Sequence, residues 1–205
     1  RVWRRIQFGR LEQFGWRIQR RRRQLRRRRR IGQLVAERTH MSIKRIGKHL
    51  LLNRWRVRRA FPRQALANIE KAIKTSEAAH TGQIRFAVEG ALDGAPLFRN
   101  QSARARSIDV FADLRVWDTQ NSNGVLIYLL LADRDVEIVA DRGFNDKVAP
   151  AEWEKICRVM EAEFRAGNFE GGVLKGVAAV TKLLAKHFPP GGARRNELPD
   201  KPVVL

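Results

Sequence analysis

Residues 115–144 read RVWDTQNSNGVLIYLLLADRDVEIVADRGF, and this stretch decides the fold. After Gly124 an apolar run extends from Val125 to Ala132. The triplet Asp133-Arg134-Asp135 breaks it, and a second run follows from Val136 to Ala140. Both runs have the length and the β-branched content of strands, with a charged turn between them. So short a connection requires antiparallel neighbours. Val125–Leu131 is apolar without alternation, as in a strand covered on both faces. Polar groups gather at the strand ends: Asp118, Asn121 and Asn123 before the first run, Asp133 and Asp135 between the two, Asp141 and Asp146 after the second. Ligands of α/β sheets bind beyond strand ends, so chemistry is expected there.

Working outward, helices flank the pair. Leu66, Ile69 and Ile73 recur at helical spacing up to Ser76, and Gly82 reads as a stop signal. Gln83–Leu92 alternates as a strand with one wet face. Residues 90–100 read as a loop. Ser102 caps a helix to about Leu114 with Ile108, Phe111 and Leu114 inward. Pro150 opens a helix carrying Trp153, Ile156, Cys157, Met160 and Phe164, which makes Cys157 a core residue. Phe169–His187 is a last helix, striped by Val173, Val177, Val180 and Leu184. The order α-β-α-β-β-α-α predicts a three-layer α/β/α sandwich with a mixed sheet of few strands and helices on both faces.

Charge divides the chain. Of 42 Lys and Arg, residues 1–63 hold 23 against two acids, whereas 64–205 carry 19 of each sign. Four segments follow: an Arg-rich extension (1–40), a basic amphipathic segment (41–63), the α/β domain (64–190) and an extended tail (191–205). The extension contains RRRRQLRRRRR (residues 20–30) and begins with Arg. It reads either as an arm for nucleic acid or acidic membrane, or as translated sequence upstream of a start at Met41. In 41–63, Ile43, Ile46, Leu50 and Leu51 fall at helical spacing among cations. One reading lays this segment on an anionic membrane surface or membrane protein through Lys44, Arg45, Lys48, Arg54, Arg56, Arg58 and Arg59. The other docks Leu50, Leu52 and Trp55 on the domain. His49 is expected to be solvated.

Cys157 is the single cysteine, which excludes an intramolecular disulfide. No apolar run approaches the roughly 20 residues of a membrane helix. The expected location is cytoplasmic, peripheral to the inner membrane face if the basic segment binds lipid. Phosphate-loop and nucleophile-elbow motifs are absent, and the four histidines lie far apart. The chemistry left is that of hard oxygen ligands: Asp118, Asn121, Asn123, Asp133, Asp135, Asp141 and Asp146 are candidates for Ca²⁺ or Mg²⁺. The alternative for each is an ordinary turn or surface role.

Several segments together resemble the TPM-domain (TPM phosphatase) family, in particular a small bacterial branch. They are RWRVRRAFP (54–62), GQIRFAVE (82–89), Phe111 with VWDT (116–119), NSNGVLIYLLLADRDVEIVADRG (121–143), FRAGNFEGGV (164–173), HFP (187–189) and NELPD (196–200). The resemblance covers about residues 41–205. It implies a central sheet with helices on both faces, and calcium binding is associated with the family. It further implies a metal-assisted phosphatase with its site at residues 121–123 and 133–146. The chain departs from the family pattern in two respects. It shows neither the export signal nor the C-terminal anchor of many members. Where the family places Gly-x-Gly and a Thr-Asp pair, this chain has ADRGFNDK, with Asp146 standing for the acid and no Thr before it.

Overall fold

The computed structural model describes residues 45, 49, 54–191 and 196–205, within a compact unit spanning Ile43–Leu205. The arginine run, Lys44, Lys48, Leu50, Leu52 and the side chains of Arg54 and Trp55 lie outside the described residues. The elements are α1 (Arg54–Ala60), α2 (Arg63–Ser76), β1 (Gln83–Glu89), α3 (Gly94–Phe98), α4 (Ala103–Asp113), β2 (Gly124–Leu130), β3 (Asp135–Ala140), α5 (Pro150–Arg165), α6 (Phe169–His187) and β4 (Val203–Val204). The sheet runs β3-β2-β1-β4, with β1 parallel to β2 and β4 and with β2 antiparallel to β3. The fold is therefore the expected mixed α/β sandwich.

Every residue of β2 is buried, which accounts for its unbroken apolar run. Val125, Ile127 and Leu129 face one layer, where Val57 of α1, Phe61 just after it, Ile69 and Ile73 of α2, Met160 and Phe164 of α5 and the Val173–Leu184 stripe of α6 pack. Leu126, Tyr128 and Leu130 face the other, with Leu97 of α3, Ala103 and Val110 of α4, and Leu198. Full burial of one such aliphatic side chain stabilises by about 1.5–3 kcal/mol, so the strand is the principal hydrophobic element. Ser102 caps α4 by accepting from Ala105 N at 3.1 Å, and Pro150 occupies the first turn of α5.

Four local expectations are corrected. β1 has no wet face: Gln83, Arg85 and Glu89 are buried with the rest of it. The C-terminal segment bonds Gln83 and Arg85, whereas Glu89 accepts from Tyr128 and Arg106. Residues 90–100 contain the short helix α3. Ile108 is 49% exposed, because α4 buries the smaller stripe Ala103, Ser107 and Val110 instead. Gly82 is not the stop of α2, which ends at Ser76 and passes through a 3-10 turn over Glu77–Ala79. Gly82 is required for space, since a Cβ there would lie 2.2 Å from Leu184 Cδ2.

The tail also acquires a defined place. Gln83 Oε1 accepts from Glu197 N and Leu198 N, both at 3.1 Å. Arg85 Nη1 donates to the carbonyls of Pro199 and Lys201. Val203 and Val204 then pair with Ala87 and Val88. Two polar side chains of β1 thus fasten the tail where the ladder is short.

Candidate functional site

The sheet separates the candidate ligands. Asp118, Asn121 and Asn123 precede β2, and Asp141 and Asp146 follow its antiparallel partner β3, so these five share one end. Asp133 and Asp135 lie at the other end of β2. Its seven residues put the two ends about 20 Å apart at roughly 3.3 Å per residue. The seven side chains do not form one site.

The end holding Asp133 is filled by the chain itself. Arg45 Nε donates to Asp133 Oδ2 at 3.0 Å, while its terminal nitrogens reach Asn100 Oδ1 (2.6 Å) and the Gln101 carbonyl (2.8 Å). His49, expected in solvent, is 3% exposed. Its Nδ1 accepts from Leu92 N at 2.8 Å, which fixes the neutral tautomer with Nε2–H directed at Asp133 Oδ1, 3.2 Å away. Asp133 anchors residues 45 and 49 to the domain, and Arg45 is engaged inside the protein. Among the described residues the exposed cations of the predicted surface contacts are Arg56, Arg58 and Arg59, joined by Arg63, with Val57 and Phe61 buried between them in sequence.

At the opposite end two loops are stitched together. Asp141 N donates to the Gly124 carbonyl (2.9 Å), Gly143 N to that of Ser122 (3.0 Å) and Arg142 Nε to Ser122 Oγ (3.0 Å). Their approach leaves no room for a side chain at 143, where a Cβ would meet the Ser122 oxygen at 2.4 Å. Ser122, not its Asn or Gly neighbours, takes the left-handed backbone conformation, with φ of 49°. Asp141 Oδ1 accepts from Arg142 N at 2.7 Å and opens a 3-10 turn over Arg142–Phe144. Asp141 Oδ2 is buried without a hydrogen-bond partner among the described residues, as is Asn123 Oδ1. Asp118, Asn121 and Asp146 are exposed on the same end.

A third feature was not read from the sequence. A cleft of about 570 Å³ runs along the outer edge of β3 between α4 and α5. Asp135, Glu137 and Glu161 line it with Arg104, Trp153 and Cys157. Burial, then the charges of Glu161 and Asp133, pushes the Asp135 carboxyl above its ordinary value, and Arg45 opposes the shift. Burial and Asp135 push Glu137 the same way against Arg104. Burial above all, with the Glu137 charge, raises the Cys157 thiol to about 12, so it is no nucleophile at neutral pH. The signal in the sequence was the alternation of Asp135, Glu137 and Val139, which places the first two on one face.

Behind the sheet lies a buried polar cluster. Tyr128 Oη donates to Glu89 Oε2 at 2.6 Å, and Arg106 Nε donates to the same oxygen at 2.9 Å. Burial and that bond hold the phenol far above its usual range, so Tyr128 keeps its proton and ties β2 to Glu89 of β1.

Comparison with known proteins agrees with this architecture. The family model described as the TPM domain matches residues 58–183. Among solved structures, the BA42 protein of the psychrophilic bacterium Bizionia argentinensis is similar at 30% sequence identity and a TM-score of 0.61, over 69% of this chain and 93% of that one. The N-terminal domain of a P. gingivalis protein is similar at 19% identity and a TM-score of 0.47, over 60% of this chain and 76% of that one. No curated protein matches. Among the described residues no helix is long and apolar enough to cross a membrane. With the family model covering more than half of its length, the chain belongs to the TPM-domain family.

Proposed function

We propose that this TPM domain binds a divalent cation between the loops 118–123 and 141–146 and there acts as a weak phosphatase. The observation that carries the reading is the pair of buried, unpartnered oxygens, Asp141 Oδ2 and Asn123 Oδ1. Buried polar oxygens are destabilising unless something meets them, and carboxylate and amide oxygens are what hard cations take. Among the described residues no three of His, Cys, Asp or Glu are grouped so as to hold a metal ion. A cation held by Asp141 and Asn123 would complete its shell with waters, backbone carbonyls and substrate phosphate, as Ca²⁺ and Mg²⁺ both can. A bound ion would polarise a phosphoryl oxygen. Arg142, exposed and steadied by Ser122, supplies a positive charge for the other ester oxygens.

Thermal unfolding with added Mg²⁺, followed by p-nitrophenyl phosphate hydrolysis, tests this. A site filled at 100 times Kd adds about 2.7 kcal/mol of stability. EDTA should reverse the gain and stop hydrolysis, and Asp141→Asn should abolish both. Asp135→Asn, at the far end of β2, should leave both intact. No stabilisation by millimolar Mg²⁺, nor by Ca²⁺ in its place, would sink the reading.

The exposed row Arg56, Arg58, Arg59 and Arg63 favours a second reading, a binding domain held at an anionic membrane surface. Each arginine near such a surface contributes about 1 kcal/mol. Co-sedimentation with phosphatidylserine vesicles should then weaken with salt and with Arg56, Arg58 and Arg59 changed to Gln. Binding indifferent to both refutes it.

A further inference from the structure

We infer that the outer edge of β3 is a docking strand for an extended, basic segment of a partner polypeptide. Among the described residues β3 is the last strand on its side of the sheet. Because Asp141 N donates to the Gly124 carbonyl, the backbone groups at 135, 137, 139 and 141 face β2. Those of Val136, Ile138 and Ala140 therefore point away from the sheet. At Ile138 the carbonyl is met by Arg104 and the amide lies against the Cys157 sulfur, so a strand added to this edge would displace both.

The cleft shows what such a strand would carry. Arg104 Nη1 donates to the Ile138 carbonyl at 2.9 Å and lies 3.5 Å from Glu137 Oε2. A guanidinium already rests on the edge carbonyl and its neighbouring carboxylate, and its side chain is 53% exposed. Four acids, Asp135, Glu137, Glu154 and Glu161, line the cleft against two arginines, Arg104 and Arg158. Glu161 is paired with Arg165 and Glu154 with Arg158, whereas Asp135 has no ion-pair partner among the described residues. Trp153, held edge-on against Phe144 at 5.5 Å, offers an aromatic surface for an aliphatic stem or a cation. A second copy of β3 fits poorly, since Asp135 and Glu137 of both copies would oppose one another. Lys or Arg at alternate positions of the incoming strand answers both the backbone and the charge.

The test uses the full chain and a fluorescein-labelled peptide of about ten residues alternating Arg with Val or Thr, the length of a long strand. Controls are the same peptide N-methylated at alternate backbone amides and a Glu-for-Arg peptide. The basic peptide is expected to bind with amide shifts confined to Val136–Ala140. N-methylation and the double change Asp135→Asn/Glu161→Gln should each weaken it by about tenfold or more. Arg104→Ala, which clears the Ile138 carbonyl, should leave binding as tight or tighter. Equal binding of the N-methylated peptide would mean charge attraction alone and would overturn the proposal. So would equal binding by the double variant, or self-association of the chain without peptide binding.

Discussion

Asp135 shows how one residue reports its surroundings. Its carboxyl is raised above the ordinary 3.8 by burial and by the like charges of Glu161 and Asp133. The folded state therefore holds the proton more tightly than the unfolded chain does. The stability this contributes is fully present below the ordinary value and is lost as pH rises through the raised one. At neutral pH the ionised group is a burden, so Asp135→Asn should raise Tm at pH 7 and have a vanishing effect near pH 4. Thermal scans at both values check this, and an equal shift at both would contradict it. His49 teaches the converse. A lone histidine among cations reads as a solvated side chain, and only the Leu92 amide and Asp133, both distant in sequence, make it a buried tie.

At the scale of elements, what was legible followed from periodicity. The unbroken apolar run of β2, the 173–177–180–184 stripe of α6 and the charged turn to β3 appear where local pattern places them. β4 did not, because two valines behind a proline-rich segment have no period, and only the register with Ala87 and Val88 makes them a strand. β1 was misread for a related reason. Its polar residues alternate as on a wet face, yet Arg85 and Gln83 are the pins of the tail. Burial lowers the Arg85 pKa against the opposing charge of Asp200, a sign of its desolvation. Arg85→Met keeps the bulk and leaves the Pro199 and Lys201 carbonyls unmet, a loss of about 1–3 kcal/mol. Amide exchange at Leu205, whose N–H donates to the Val88 carbonyl, should accelerate in this variant. Unchanged exchange would show that β4 holds without its pin.

For the whole molecule, the two hydrophobic layers share β1, β2 and β3, so neither face can come apart alone. Unfolding of the domain is expected as one transition, with near-ultraviolet and far-ultraviolet circular dichroism coincident. Two separated midpoints would mean that the layers are independent. The candidate site was legible only in kind. Sequence named candidate oxygen ligands, but the pairing of β2 with β3 sorted them to opposite ends, a property of the closed sheet and of no single segment.

The late return of the tail bears on how the chain is made. Arg85 and the Pro199 carbonyl that it meets are 114 positions apart, so β1 leaves the ribosome long before its outer neighbour exists. Through that interval β1 is an apolar strand with a bare edge, the kind of segment that recruits other nascent chains. Gln83 and Arg85 stay hydrated until the tail arrives, and a charged residue within such a strand acts as a gatekeeper against aggregation. The side chains that finally lock the sheet are thus the ones that keep it soluble while it waits.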